Sequence, residues 1–153
     1  MTHLGIISDT HGLLRSEAID VLKGSDLIVH AGDVGSSDIL PALRDLAPVY
    51  AVRGNVDNGA WAQALPLTEA FEVEESAVYV YHGHLPLELD PAAGGFNVVI
   101  SGHSHQPSIE QRGNVLHINP GSAGRKRFKL PVSLARLTVI GRDVKAELIY
   151  LEV

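Results

Sequence analysis

The sequence predicts a single α/β domain of stacked sheets spanning residues 1–153, and three observations support this. Short apolar runs alternate with helical patterns in the first half of the chain, whereas paired alternating runs typical of hairpins fill the second half. A length of 153 residues is ordinary for one domain, and neither a repeat nor a long linker divides it. The hairpins argue against a doubly wound dinucleotide fold, in which strands and helices alternate throughout.

Three buried strands and a first helix are predicted near the start of the chain. The apolar runs at residues 4–8, 27–30 and 49–52 are typical of buried strands, and each leads into a polar cluster. The first helix is expected to open at Ser16 and to end at Gly24, since glycine commonly follows the last turn of a helix.

A second helix is predicted between the second and third strands. Ser36 or Ser37 can cap it, and Pro41 falls in its first turn, where a missing N–H costs little. Its apolar face would comprise Ile39, Leu40, Leu43, Leu46 and Ala47.

Hairpins and one further buried strand are predicted in the second half. A turn at residues 74–76 joins strands at 68–73 and 77–81, where apolar and polar side chains alternate. A buried strand is expected at residues 96–101, again followed by a polar loop. Two more hairpins are expected, pairing residues 108–112 with 115–118 and residues 134–140 with 144–153.

Composition and charge exclude several functions. The balance of 12 Lys and Arg against 18 Asp and Glu argues against general nucleic-acid binding, which usually needs a basic face. Without cysteine the chain cannot form disulfides, iron–sulfur clusters or a thiolate metal site, so a metal would need nitrogen and oxygen ligands, including the eight histidines. No apolar run approaches the roughly 18 residues of a membrane span, and residues 1–5 do not resemble a signal peptide. We therefore expect a cytoplasmic protein without membrane contacts.

Polar clusters recur directly after the predicted strands, where α/β folds place their sites. Their metal-binding side chains are Asp9, His11, Asp33, Asn55, His82, His103 and His105. In extended chain, residues two apart point the same way, so Asp9 and His11 are expected to aim into one crevice, and the same holds for the two histidines of the Gly-His-Ser-His stretch. Imidazole, carboxylate and amide oxygen suit Mn, Fe, Co, Ni and Zn. Seven ligands exceed the need of one ion, whereas two ions sharing a carboxylate would use them all.

Each cluster taken alone has an ordinary explanation. Gly-Asp and Gly-Asn are common turn dipeptides, and Asp often serves turns and caps. Asp57, close after Asn55, could orient that loop, although an ordinary turn carboxylate is the simpler interpretation. His30 lies inside an apolar strand and is interpreted as a hydrogen-bonded core residue. It is the whole set, in this order and at strand ends, that indicates a metal centre.

The motifs Asp-x-His, Gly-Asp, Gly-Asn, a later His and Gly-His-x-His resemble the signature of the calcineurin-like metallophosphoesterase superfamily. Within it the chain is similar to the small prokaryotic YfcE-type phosphodiesterase branch, which also includes the retromer-associated phosphoesterase-like subunit. Residues 53–57 and 119–122 (Asn-Pro-Gly-Ser) support that branch. The resemblance implies an α/β sandwich of two mixed β-sheets flanked by helices, with two metals at the strand ends.

The resemblance also implies a ligand set and a reaction. Position by position, Asp9, His11 and His105 would bind the first metal. Asn55, His82 and His103 would bind the second, and Asp33 would bridge the two. The ions would be divalent, with Mn expected first and Fe, Ni, Co or Zn as alternatives. The implied activity is hydrolysis of small phosphodiesters, including nucleotide-derived ones, by a metal-bridging hydroxide. The alternative is a catalytically weak protein-interaction scaffold on the same fold, like the retromer-associated branch.

One residue departs from the pattern of many family members. Val56 follows Asn55 where they carry a histidine that protonates the leaving oxygen or holds the phosphate. Because valine can do neither, we expect diesters with good leaving groups to react better than alkyl monoesters. His84 is a candidate proton donor or a neighbour of the ligands, with a packed surface histidine as the alternative.

Substrate contacts and oligomeric state have weaker signals. Arg125 and Arg127 belong to the only dense basic run, and with Arg53 they are candidates to contact the substrate, a solvated loop being the alternative. An apolar patch near Pro66 could form a dimer contact, or it could be half-buried packing. Its members are Trp61, Leu65 and Leu67.

Overall fold

A computed structural model describes residues 1–127 and 129–153, within which there are ten strands and three helices. In chain order they are β1 (Thr2–Ile7), α1 (Ser16–Leu22), β2 (Leu27–His30), α2 (Ile39–Arg44), β3 (Val49–Ala51), α3 (Ala60–Gln63), β4 (Thr68–Val73), β5 (Ser76–Tyr81), β6 (Val98–Ile100), β7 (Ser108–Arg112), β8 (Val115–Asn119), β9 (Ser133–Ile140) and β10 (Asp143–Tyr150). None of these helices is long and apolar enough to cross a membrane.

The strands form two mixed sheets of five strands each. The first sheet has the order β10-β9-β1-β2-β3, in which β1, β2 and β3 run parallel and β9 pairs antiparallel with β1. The second has the order β4-β5-β6-β8-β7, with β5, β6 and β8 parallel and the edge strands antiparallel. Parallel strands end at the same edge of a sheet, so the loops after β1, β2 and β3 lie together, as do those after β5, β6 and β8.

The two sheets pack face to face around one apolar core. Leu4 and Val29 of the first sheet lie in the same buried cluster as Val80 and Ile100 of the second. Helices α1 and α2 cover the other face of the first sheet, where a second cluster includes Leu22. The predicted sandwich of mixed sheets is therefore confirmed.

The outer face of the second sheet has a different cover. In the described part of the chain no helix lies there. Instead the segment between β5 and β6 packs Leu87, Leu89 and Phe96 against Tyr79 and Val99. Helices α1 and α2 thus flank the first sheet, and the segment between β5 and β6 covers the second.

Both predicted helices and all of the predicted strands are present, with differences at element ends. The capping position of α2 is Asp38 rather than Ser36 or Ser37, because the Ser36 hydroxyl bonds the Asp38 carboxylate instead of a helix N–H. The helix ends at Arg44, before the last residues of its predicted apolar face. Helix α3 was not predicted, since four residues are too few for a periodic pattern.

The apolar patch near Pro66 is divided by the fold. Trp61 and Leu65 are partly buried and pack against the cluster beneath the helices. Leu67 remains 43% exposed. Half-buried packing therefore accounts for two of the three side chains, and dimer formation stays a prediction.

His30, at the end of β2, is fully buried and hydrogen-bonded at both ring nitrogens. The Gly32 N–H donates to Nδ1 (3.1 Å), which assigns the ring proton to Nε2. Nε2 then donates to the Thr10 hydroxyl (3.0 Å), which itself donates to the Val34 carbonyl (2.8 Å). Burial lowers the pKa of His30 to about 4, so the folded protein holds a neutral imidazole that ties the loop after β1 to the loop after β2.

The core between the sheets can be tested at β9. Leu137 is fully buried there, so Leu137→Ala should lower the free energy of unfolding by about 2–5 kcal/mol through lost contacts and a residual cavity. Ile140→Ala, on the same strand but 56% exposed, is the matched control and should change it by about 0.5 kcal/mol or less. Urea denaturation followed by circular dichroism measures both, and equal losses would contradict this location of the core.

The neutral state of His30 predicts a pH dependence of stability. Between pH 6.5 and about 4 the unfolded histidine binds a proton that the folded one does not, so stability falls as the pH falls through this window. The slope should reach up to about 1.4 kcal/mol per pH unit. His30→Gln should remove that contribution in denaturation curves of the metal-free protein, whereas an unchanged slope would contradict a buried neutral imidazole.

Candidate metal centre

The loops that carry the seven candidate ligands are joined by backbone hydrogen bonds. The N–H groups of Asp9 and His11 donate to the carbonyls of Gly32 and Asp33, both at 3.0 Å, so parallel pairing continues beyond the ends of β1 and β2. In the second sheet the Gly102 N–H donates to the backbone carbonyl of His82, the residue that follows β5, at 2.9 Å. The candidate ligands therefore project from a rigid layer at the carboxyl ends of the strands.

The glycines of the Gly-Asp and Gly-Asn motifs allow these loops to approach each other. Gly32 has a φ of +100°, and a Cβ there would lie 2.6 Å from Nδ1 of His82. A Cβ on Gly54 would overlap the backbone and carboxylate of Asp33. A larger residue at either position would displace a candidate ligand.

Left-handed backbone conformations aim most of the candidate ligands. Positive φ angles occur at Asp9 (55°), His11 (47°), Asp33 (55°), His103 (69°) and His105 (62°). We expected that each pair of candidate ligands two residues apart would point the same way from extended backbone. This expectation is wrong, because β1 and β6 end before these residues begin. Such conformations cost about 1–3 kcal/mol each outside glycine, and the hydrogen bonds between the loops hold them in place.

Asp9 lies at the middle of the site and is fully buried. Its Oδ2 accepts a hydrogen bond from the Ser8 hydroxyl at 2.7 Å. Its Oδ1 has no hydrogen-bond partner within the described residues. Oδ1 faces three imidazole Nε2 atoms, those of His105 at 3.4 Å, His11 at 3.8 Å and His82 at 3.9 Å. An anionic oxygen without a donor among nitrogen ligands is the arrangement expected where a cation binds.

Asp33 lies between two sets of nitrogen atoms. Its Oδ2 is 3.2 Å from Nε2 of His82 and 3.6 Å from Nε2 of His11. The backbone N–H of Val56 donates to its Oδ1 at 3.1 Å, which fixes the rotation of the carboxylate. One oxygen of Asp33 is therefore placed where two neighbouring ions could share it.

Asn55 completes the site on the exposed side. Its Oδ1 lies 3.0 Å from Nε2 of His82 and 3.1 Å from Nδ1 of His103. The other ring nitrogen of His82 is 2.7 Å from the Ala31 carbonyl and donates to it, which leaves the Nε2 lone pair free for a metal. Asn55 and His103 are exposed, so the site is open to solvent here.

The seven side chains thus fall into two adjoining groups. Within each triad the ligand atoms all lie within 4.8 Å of one another, and Asn55 adjoins the second triad. The triads are Asp9, His11 and His105, and Asp33, His82 and His103. Four imidazole rings, an amide oxygen and two carboxylates form a donor set that fits first-row divalent cations. The structure therefore brings together every candidate ligand predicted from the sequence.

Both carboxylates are held in the anionic form. Burial alone would raise the pKa of Asp9, but the close imidazole of His105, together with the other polar neighbours, keeps that pKa well below its usual range. Burial likewise raises and the contact with His82 lowers the pKa of Asp33, with a net decrease. Burial lowers the pKa of His82, but its contact with Asp33 more than offsets this and raises it. The two anionic carboxylates therefore favour the binding of cations at this site.

Asp57 has a larger role than an ordinary turn carboxylate. It is buried, and its Oδ2 accepts hydrogen bonds from the N–H groups of Gly54 (2.9 Å) and Val34 (3.2 Å). Its Oδ1 accepts one from the Gly35 N–H at 2.9 Å. Asp57 thereby ties the loop that bears Asp33 to the loop that bears Asn55. The sequence signal was limited to its position three residues after Gly54.

Residues 119–122 support two of the ligand loops. The Asn119 side-chain amide donates to the Gly102 carbonyl at 3.0 Å, beside the two histidines of that loop. The Ser122 hydroxyl donates to the backbone carbonyl of Asp9 at 3.0 Å. This segment therefore positions the ligand loops through their backbones.

The candidate substrate-binding arginines are less tightly tied to the site. Arg125 and Arg127 are exposed, whereas Arg53 is half-buried. Within the described residues, no side-chain hydrogen bond or ion pair joins any of them to a candidate ligand. The structure thus leaves these side chains accessible to a ligand.

His84 lies beside the second triad. Its ring centroid is 5.4 Å from that of His82 and 6.3 Å from that of His103. Its Nδ1 is buried and lacks a hydrogen-bond partner among the described residues. Burial, followed by the charges of the two neighbouring histidines, lowers the pKa of His84. It is a neighbour of the candidate ligands rather than an isolated surface histidine.

Known proteins resemble this chain in sequence and in fold. A family model for the calcineurin-like phosphoesterase superfamily domain matches residues 2–142. A probable metallophosphoesterase of Methanothermobacter thermautotrophicus is 37% identical, over 95% of this chain and 91% of its own. The phosphodiesterase YfcE of Escherichia coli is 33% identical, over 90% of this chain and 88% of its own.

A solved structure extends the match to the fold. Vps29 of Chaetomium thermophilum superposes with a TM-score of 0.80 over 98% of both chains, and its 17% identity shows likeness of fold alone. The family match covers most of the chain and agrees with the motifs at its strand ends. The resemblance predicted from the sequence is confirmed: the chain belongs to the calcineurin-like phosphoesterase superfamily.

Proposed function

We propose that this chain is a dinuclear-metal-dependent phosphodiesterase that hydrolyses small phosphate diesters. One observation carries the proposal: the buried Oδ1 of Asp9 faces three imidazole nitrogens and has no hydrogen-bond donor among the described residues. Membership of the superfamily supports the reaction class, as do relatives named metallophosphoesterase and phosphodiesterase.

The two triads support a specific assignment of ligands. Asp9, His11 and His105 would hold one ion. Asn55, His82 and His103 would hold the other. Asp33 would be shared, since its Oδ2 lies within 3.6 Å of a nitrogen from each group. The donors suit Mn, Fe, Co, Ni or Zn, and we expect Mn.

Two such cations, when bound, would supply Lewis acidity toward the phosphate oxygens and a water nucleophile that is deprotonated near neutral pH. The chain itself sets the charge of the centre. Only Asp9 and Asp33 among the seven ligands are anionic, so two divalent cations leave the centre positive although the chain has a net charge of −6. That positive centre favours an anionic phosphate diester.

Position 56 supplies no proton donor for the leaving oxygen. Val56 is 45% exposed at the edge of the site and cannot donate a proton from its side chain. His84 is our candidate to protonate or orient the leaving oxygen, because its ring lies beside the second triad with one nitrogen unpaired in the described structure. Arg53, Arg125 and Arg127 remain our candidates for substrate contacts, because no ion pair within the described residues joins them to a candidate ligand.

A catalytically weak interaction scaffold on the same fold is the second candidate, and the fold that the chain shares with Vps29 is compatible with it. A scaffold would be free to lose ligands. Here all seven side chains are chemically competent and lie together, which supports the enzyme instead. A protein that binds no divalent cation and hydrolyses no diester would favour the scaffold.

The shared carboxylate can be tested by Asp33→Asn. Removing residues that only orient metal ligands costs about 10–100-fold, so losing a shared ligand should lower diesterase kcat/KM by at least about 100-fold. The metal content after loading with Mn²⁺ should fall from two ions per chain. Asp20→Asn, which removes an exposed carboxylate of α1, is the control and should match the wild type. Two retained ions together with full activity in Asp33→Asn would contradict the assignment.

The missing proton donor can be tested by Val56→His. A positioned acid contributes about 10²–10⁴-fold, so we expect kcat/KM for alkyl diesters to rise by up to about 100-fold. Aryl diesters, whose leaving groups need no proton, should change little. Val56→Leu keeps an apolar side chain and should leave both substrates unchanged. An equal effect of Val56→His on alkyl and aryl diesters would contradict this explanation.

A further inference from the structure

We propose that a cavity beside the candidate metal centre binds the nucleobase of one substituent of the diester. The inference rests on the proposed function and specifies its substrate class. The cavity has a volume of about 240 Å³. Its walls include Leu67, Tyr79, Tyr81, His82, His84 and Glu88.

The cavity and the metal centre are continuous. His82 belongs to the second triad and also lines the cavity, and His84 lies between the two. The second triad is also the side of the centre that is open to solvent, through Asn55 and His103. A phosphate held at the centre would therefore extend one of its substituents into the cavity.

The aromatic wall favours a flat ring. Tyr79 and Tyr81 stack with centroids 6.0 Å apart and ring planes 24° apart. Tyr79 is buried and also packs against Phe96, with a centroid distance of 5.4 Å. Tyr81 is only half-buried, so it presents aromatic surface on a fixed support. Stacking on such a wall suits any base, since every base has a π-face.

The size and the rim of the cavity fit a single ring system. Pockets for drug-sized ligands measure about 300–1,000 Å³, so this smaller cavity suits one base rather than a dinucleotide. Two exposed leucines, Leu67 (43%) and Leu85 (49%), border it. A base seated against them would remove apolar surface from water, a favourable contribution to binding.

Glu88 adds a preference among bases. It is the one carboxylate among the described residues that line the cavity. A carboxylate accepts hydrogen bonds and cannot donate them, so it favours a base edge with an exocyclic amino group, such as cytosine, over a carbonyl edge, such as uracil. We therefore expect cytidine derivatives to bind better than uridine derivatives.

Equilibrium binding separates the base from the phosphate. Cytidine 5′-monophosphate and ribose 5-phosphate place the same phosphate at the Mn²⁺-loaded centre, and only the first carries a base. Stacking one base is worth about 1–3 kcal/mol, so titration calorimetry should show cytidine 5′-monophosphate binding about 5- to 150-fold more tightly. Tyr81→Leu should abolish most of this difference and leave the affinity for ribose 5-phosphate within about twofold.

Two further variants complete the test, one as a control for a general effect of losing a tyrosine and one for the preference among bases. Tyr150→Leu, which alters a 58% exposed tyrosine on β10 of the other sheet, should keep the wild-type preference. Glu88→Gln changes an exposed side chain and should bring the affinities for cytidine and uridine 5′-monophosphates toward equality, since glutamine both donates and accepts.

The outcomes distinguish this proposal from the one on which it rests. If both ligands bind equally and bis(p-nitrophenyl) phosphate is still hydrolysed, the cavity proposal is overturned and the phosphodiesterase stands. If neither ligand binds and no diester is hydrolysed, both proposals are overturned. A preference for the nucleotide that survives Tyr81→Leu in a folded variant would also overturn the cavity proposal.

Discussion

The site is organised by two buried carboxylates surrounded by imidazole nitrogens. Asp9 and Asp33 sit where an unpaired charge would be costly, and both are kept anionic by the histidines around them. The other local features serve this arrangement. Glycines let the loops approach within van der Waals distance, and Asp57 joins two of the loops through backbone hydrogen bonds.

Both sheets are needed to assemble the candidate ligands. The first sheet supplies Asp9, Asp33 and Asn55 from the ends of its parallel strands, and the second supplies His82 and His103. Each triad takes residues from both sheets, so neither triad exists until the sheets pack together. The apolar core between the sheets therefore positions the site as well as stabilising the fold.

Much of this could be predicted from local sequence. The strands were found because buried apolar runs end abruptly in polar clusters, and the candidate ligands were found because their chemistry recurs at those ends. The left-handed conformations of Asp9 and His11 were not predicted, since periodicity describes regular elements and these residues follow β1. The sequence raised a role for Asp57 in the Asn55 loop, but its contacts with the loop that bears Asp33 were not predicted, nor was the stacked pair Tyr79 and Tyr81. They depend on which distant loops meet, and that information lies in the tertiary packing.

The left-handed turns restrict how this centre could change its chemistry. Asp, Asn and His are the non-glycine residues that occupy such conformations most readily, and they are also nitrogen and oxygen donors for divalent cations. Backbone geometry and coordination chemistry thus select the same few side chains at Asp9, His11 and Asp33. A longer carboxylate such as glutamate would preserve the charge, and Glu74 shows that it can adopt this conformation, but it does so less readily and would move the carboxylate oxygens further from the backbone. Exchanging a donor to favour a different element would consequently add backbone strain to any change in coordination chemistry, so the turn and the metal preference are coupled at these positions.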